Sequence, residues 1–239
     1  MKLGVIGGLG PMATAYFLEL ITSMTDASCD QEHIEAILCS RPQTPDRTAF
    51  ILGKSDKSPL PMMLETLDFL ENAGCTAIAI PCITSHCYMN ELQGAAGIPV
   101  INTVAETAIL LKKEGISSAG IMATSGTLAT GLFTKALTAE GIECITPDDE
   151  HQGLVMSVIY DNIKAGFDAD AANFGRVTRH LTDRGAEIVI LGCTELSLVR
   201  RAGGAGRGYI DVLEVLAAKS IELCGRKTRR TPFELPANY

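Results

Sequence analysis

Short apolar runs alternate with longer stretches of helical periodicity from one end of the chain to the other. Residues 2–6 form a compact apolar run that empties into Gly7-Gly8-Leu9-Gly10-Pro11, and Ala13, Phe17, Leu20 and Met24 then recur at helical spacing. This pattern predicts a strand, a glycine turn and a helix. A second strand is expected over 34–39. The polar, proline-containing stretch 42–61 reads as a long loop over the strand ends, since loops of that length in compact domains are lids or disordered segments. A helix over 62–72, a strand ending near Cys82, a helix starting near Thr84, a strand over 98–102 and a helix over 103–114 follow. At Ser118 the plan restarts, with a strand over 119–123, a turn at Thr124-Ser125-Gly126-Thr127 and a helix over 128–140. A strand over 142–146, a polar loop over 147–150, a helix through 155–165 and another over 168–183 lead to a further strand that ends near Cys193. A flexible linker over 201–208, a strand over 209–211 and an alanine-rich helix complete the pattern, and 226–239 reads as a surface tail.

Strand and helix thus alternate eight deep, twice over, which calls for an α/β fold of two lobes related by a pseudo-twofold axis. Each lobe is a mainly parallel sheet with helices on both faces. The first lobe is expected to take 1–100 plus 210–239, and the second 101–209. The repeat has a chemical centre. Ile78-Ala79-Ile80-Pro81-Cys82-Ile83-Thr84 and Val189-Ile190-Leu191-Gly192-Cys193-Thr194-Glu195 are both short apolar runs that stop at a cysteine. Gly74 and Gly185 stand the same 111 positions apart as Cys82 and Cys193. Ligands of open α/β sheets sit just outside the carboxyl ends of the strands, so both thiols are expected to face one cleft.

Composition narrows the function. The 46% of hydrophobic residues give ample core, and a net charge of −8 with no basic stripe argues against nucleic acid or an anionic membrane as partner. Eight cysteines in apolar runs fit reduced thiols better than a disulfide scaffold. Cys29, Cys39, Cys75, Cys87, Cys144 and Cys224 read as buried structural residues. No CxxC pair occurs, and His33, His86, His151 and His180 make no zinc signature, so no metal is expected. Glycines and Glu19 interrupt the first apolar run too early for a signal peptide or a membrane span, which predicts a soluble cytoplasmic protein. The turn from Gly8 through Gly10 to Ala13 is a weak dinucleotide fingerprint, but the acidic residue expected about twenty positions later is missing. A tight turn whose amides approach a carboxylate is the better reading.

Two equal groups on opposite sides of one ligand suit proton abstraction and return at a single carbon. One thiolate removes the proton from one face while the opposite thiol supplies one to the other. A helix N-terminus or a nearby cation lowers a thiol pKa, and both cysteines are expected where a helix starts, with Thr84 and Thr194 as candidate caps.

The motifs Gly7-Gly8-x-Gly10-Pro11, Pro45-Asp46-Arg47-Thr48, Pro81-Cys82-x-Thr84-x-His86, Thr124-x-Gly126-Thr127, Ile163-Lys164-Ala165-Gly166 and Gly192-Cys193-Thr194-Glu195 occur in this order over nearly the whole chain. Together they resemble the aspartate/glutamate racemase family, most closely its aspartate racemase branch. The resemblance implies catalysis without pyridoxal phosphate or metal, Cys82 and Cys193 as the acid/base pair, Arg47 and Lys164 as grips on substrate carboxylates, and a homodimer. Physics agrees with those grips, because a guanidinium fork holds a carboxylate bidentately and an ammonium acts as a point charge. Thr84, Ser85, Thr124, Thr127, Thr194 and the backbone of Gly8 are further candidate substrate contacts, Glu195 is a candidate acceptor for the substrate ammonium, and His86 is a candidate support behind the first thiol. One position departs from the family. Ile83 stands where the family usually has an asparagine, and an isoleucine makes none of an amide's hydrogen bonds. Rival readings are a decarboxylase or related isomerase on the same fold, a non-catalytic amino-acid-binding protein, and a nucleotide-binding oxidoreductase resting on the glycine turn alone.

Overall fold

The structure, a computed structural model, describes residues 1–232; the last part of the expected tail, 233–239, lies outside them. In chain order the elements are β1 (Lys2–Gly7), α1 (Pro11–Met24), β2 (Glu35–Ser40), α2 (Arg47–Ile51), α3 (Leu60–Asn72) and β3 (Ala77–Ala79). A 3-10 helix (Ile83–Tyr88) runs into α4 (Met89–Ala95), followed by α5 (Thr103–Lys113), β4 (Ser118–Met122), α6 (Ser125–Thr130), α7 (Leu132–Ala139) and β5 (Glu143–Ile145). Then α8 (Asp149–Ser157) passes directly into a π-helical segment (Val158–Ile163), and α9 (Ala171–Asp183), β6 (Ile188–Leu191), α10 (Leu196–Arg201), β7 (Tyr209–Asp211) and α11 (Val212–Leu223) complete the chain. The fold is mixed α/β, with parallel sheets flanked by helices. No helix among the described residues is long and apolar enough to cross a membrane.

The chain divides into two compact units, Met1–Thr103 with Leu213–Pro232, and Val104–Val212. The first holds a parallel sheet in the order β2-β1-β3. Its core packs Ile6, Met63, Leu67, Leu70, Ile78 and Ile80 together. The second holds a parallel sheet in the order β5-β4-β6-β7, with Met122, Ile159, Phe174, Leu181, Val189 and Leu191 in its core. Apolar residues fill both faces of these strands, which is why they read as continuous apolar runs and not as alternating ones.

The two sheets share one hydrogen-bonding plan. In the first, Leu3 faces Ala36 on one side and Ala77 on the other; in the second, Ala119 faces Cys144 and Ile188. Gly4 and Gly120 follow at equivalent places. A Cβ on Gly4 would lie 2.7 Å from Ile78 Cδ1, and one on Gly120 would lie 2.9 Å from Leu181 Cβ, so both central strands need glycine to let a neighbour pack against them. Val100, bridged to Ile78, stands where Tyr209 pairs with Val189.

Several expected elements differ. The strand expected over 98–102 is reduced to that single bridge, with Ile78 N donating to Pro99 O at 2.8 Å and Ile101 N to Ile78 O at 2.9 Å. Pro99 has no N–H to extend the ladder. The expected loop over 42–61 contains α2, which Asp46 caps by accepting from Ala49 N at 2.7 Å, and it ends early because α3 begins at Leu60. The helix expected over 128–140 starts earlier and is broken at Gly131, whose φ of 66° is left-handed and ends α6. The helix expected through 155–165 begins at Asp149 and unwinds into the π segment before Lys164.

Candidate active site

The register places Cys82 and Cys193 at equivalent points, each shortly beyond the carboxyl end of the third strand of its own sheet. Both are buried. All eight cysteines are free thiols, although Cys29 is exposed and Cys39, Cys87 and Cys144 are only half-buried, so the expectation that all six other thiols are core residues is corrected for these four.

In the first unit, Cys82 is the extended residue that precedes the 3-10 helix. Thr84 therefore lies inside that helix and does not cap it, contrary to the sequence expectation. Ser85 is fully buried, and its Oγ has no hydrogen-bond partner among the described residues. His86 reaches back, with Nδ1 3.1 Å from the carbonyl oxygen of Cys82 and Nε2 3.1 Å from Thr103 Oγ1. A carbonyl only accepts, so Nδ1 carries the proton and Nε2 accepts from the Thr103 hydroxyl. Burial, acting against three supporting backbone contacts, pushes the His86 pKa from the ordinary 6.5 down to about 4. His86 is thus a neutral strut that fixes the backbone of Cys82.

That strut has a pH signature. The unfolded chain protonates this histidine below 6.5, whereas the native protein resists until about 4. Its contribution to stability is therefore complete above pH 6.5 and is lost as pH falls through that window, by about 3 kcal/mol. Denaturant unfolding at the two ends of the window should show this loss in the wild type and a smaller one in His86→Gln. Equal losses in both would assign the acid sensitivity elsewhere.

The β1–α1 turn is built around Gly8, whose φ is 85°; a Cβ there would lie 2.3 Å from Arg41 N. Gly8 N donates to Thr14 Oγ1 at 3.0 Å. The turn's close approach is thus to the chain's own Arg41–Pro42 backbone, which accounts for the glycine pattern without a pyrophosphate. Arg47 is buried at the first position of α2, and its guanidinium donates to three backbone carbonyls: Leu9 at 2.9 Å, Pro45 at 3.0 Å and Thr44 at 3.2 Å. It ties α2 and the preceding loop to the glycine turn.

In the second unit, Thr124 rather than a later residue caps α6. Its Oγ1 accepts from Thr127 N at 3.1 Å and lies 3.0 Å from Thr127 Oγ1. Gln152, which the sequence reading overlooked, braces this turn from α8 by donating Nε2 to Ala123 O at 3.0 Å and to Ser125 Oγ at 3.1 Å. Its Oε1 is buried without a partner among the described residues. Nothing in the local pattern marks a glutamine in an amphipathic helix as such a brace.

Around the second thiol the charges form a chain. Cys193 Sγ donates to Glu195 Oε2 at 2.9 Å, and Lys164 Nζ donates to Glu195 Oε1 at 2.5 Å. Glu195 and Lys164, read separately as an ammonium acceptor and a carboxylate grip, are here an ion pair in which the carboxylate is buried. Burial, and then the negative charge of Glu195, push the Cys193 thiol well above its ordinary range, with Lys164 pulling the other way. The expected lowering by a helix N-terminus is thereby corrected at this position: α10 has six residues and starts after Glu195, so Thr194 lies in the turn before it and is not its cap. The residue four after each cysteine plays a matching part, because Ser197 Oγ donates to Asp211 Oδ1 at 2.6 Å at the end of β7, while His86 Nε2 accepts from Thr103 Oγ1.

Comparison with known proteins gives the family. The family described as Asp/Glu/Hydantoin racemase matches residues 6–219. An aspartate racemase of Picrophilus torridus superposes with a TM-score of 0.82 at 29% identity, covering 95% of this chain and 96% of its own. A putative Asp/Glu racemase from Yersinia pestis gives 0.78 at 26% identity, covering 93% and 98%. The broad specificity amino-acid racemase RacX of Bacillus subtilis is 23% identical over 203 residues, which is 82% of this chain and 86% of that protein. The chain belongs to the Asp/Glu/hydantoin racemase family and is an isomerase.

Proposed function

We propose that the enzyme interconverts the enantiomers of an acidic amino acid, aspartate or glutamate, without a cofactor, with Cys82 and Cys193 as its two acid/base groups. The observation that carries this reading is the congruent register, in which the shared three-strand part of each sheet presents one buried cysteine at the same strand end. One thiolate takes the Cα proton and becomes a thiol, the carbon flattens as a carbanion, and the opposite thiol gives its proton to the other face. Atoms balance, and the next substrate of opposite hand meets the pair with its roles reversed.

The two thiols are not alike at rest. Cys193 is held protonated by its burial and by Glu195, so it is the acid of the resting enzyme. Cys82 has Thr84 where Cys193 has Glu195, so no carboxylate stands two residues beyond it. Lys164 meets a substrate carboxylate by sharing it with Glu195, and Arg47 supplies the second cation. With Ile83 buried in place of an amide, hydroxyls and backbone amides at Thr84, Ser85, Thr124, Thr127 and Thr194 hold the amino-acid head. Free thiols suit a cytoplasmic setting, and a homodimer follows from the resemblance alone.

The deciding experiment incubates each enantiomer with cofactor-free enzyme in deuterated water and follows the Cα proton and the chirality together. Deuterium should enter from both enantiomers as the mixture becomes racemic. Binding without exchange, or exchange only after pyridoxal phosphate is added, would end this reading.

A further inference from the structure

The histidines that make no signature in the sequence meet in the second unit. Asp148 caps α8, His151 lies in its first turn, and His180 comes from the last turn of α9. One ligand atom from each lies within 4.8 Å of the other two. Asp148 Oδ1 is 2.7 Å from His151 Nδ1, and Oδ2 is 3.7 Å from His180 Nε2. The second separation is slightly longer than the edge, about 3.3 Å, of a tetrahedron of ligands about 2 Å from a central ion.

We infer that Asp148, His151 and His180 form a surface binding site for a divalent first-row cation of the zinc class, distinct from the thiols. Two imidazoles and one carboxylate favour such an ion over magnesium or calcium, which select oxygen donors. His180 Nε2 presents its lone pair, since it lies 3.4 Å from the donating Asp148 N–H. His151 Nδ1, 2.7 Å from Asp148 Oδ1, frees its lone pair for an ion when the ring proton sits on Nε2.

Two local features tune the site. The rings are stacked 3.8 Å apart and only 14° from parallel, and an imidazole nitrogen holds a metal in its own ring plane. One ring must therefore turn about its Cβ–Cγ bond, a soft torsion, to admit the ion. Arg184 Nη1, which donates to Thr146 O at 2.7 Å, lies 3.5 Å from His180 Nε2 and repels a cation. A bound ion clamps the start of α8 to the end of α9. Because α8 continues through the π segment to Lys164, the clamp stiffens the element that carries the partner of Glu195.

Calorimetric titration of chelator-stripped full-length enzyme with zinc chloride tests the assignment. One zinc per chain is expected, with affinity reduced about tenfold or more in His151→Gln and in His180→Gln, and unchanged in His33→Gln. No saturable binding by the wild type, or full affinity retained in the two histidine variants, would overturn the site and send any zinc to the exposed thiol of Cys29. Arg184→Gln alters no ligand and keeps the question open to decision if a histidine variant misfolds: tighter zinc binding supports the site, and unchanged or weaker binding refutes it.

Discussion

Replacing either Cys82 or Cys193 by serine should lower racemisation by roughly a thousandfold or more, because each supplies a proton transfer that a serine hydroxyl cannot perform at neutral pH. The two variants should differ in what survives. With Cys193 gone, Cys82 still meets the enantiomer whose proton faces it and returns a solvent-derived proton to that same face, so deuterium enters without inversion. With Cys82 gone, the surviving exchange belongs to the opposite enantiomer. Nuclear magnetic resonance of each pure enantiomer with each variant reads this directly. Full racemisation by either variant removes the two-thiol assignment. A third variant, Glu195→Gln, keeps both sulfurs but takes away the acceptor of the Cys193 S–H and the anion paired with Lys164. It should slow turnover by about tenfold to a hundredfold, with the larger loss for the enantiomer whose carbanion Cys193 must protonate. Equal slowing for both enantiomers would mean that Glu195 only orders the site.

Arg47→Ala is expected to destabilise the protein by about 4 kcal/mol, since it leaves the carbonyls of Leu9, Thr44 and Pro45 without the charged donor that now satisfies them. Denaturant unfolding measures that loss. Arg47→Lys should recover part of the stability and less of the function, because an ammonium cannot span three acceptors in a plane. The kinetic readout separates two roles for this residue. A rise in KM for the acidic amino acid in the folded variant marks a grip on the substrate; an unchanged KM beside the lost stability marks a strut between α2 and the glycine turn.

Much of the architecture was legible because repetition exposes itself. Gly74 with Gly185 and Cys82 with Cys193 keep one spacing, and the strand registers reproduce it. The features that escaped are those decided across distance. Proline and polar residues over 42–61 suggest a loop, yet one capping carboxylate at Asp46 and one buried guanidinium suffice for a five-residue helix. The apolar run over 98–102 has the composition of a strand, but Pro99 withholds a donor and the ladder stops at one bridge. Lys164 and Glu195 are separated by a helix and a strand, so no local pattern tells that they neutralise each other. The same holds for His151 and His180, whose rings meet only because α8 and α9 lie together. The strand end before Cys193 was legible and the electrostatics of its thiol were not, since the sign of the shift depends on burial and on the carboxylate two residues later.

The division of the chain also bears on how the enzyme is made. Among the described residues the unit Val104–Val212 is continuous, whereas the other needs both Met1–Thr103 and Leu213–Pro232. A ribosome therefore finishes the internal unit while its neighbour still lacks α11, whose residues Leu216 and Ile221 are completely buried. The nascent protein carries one thiol in a finished setting and the other in an unfinished one until α11 has emerged, so premature termination within α11 spares the half with Cys193 and forfeits the half with Cys82.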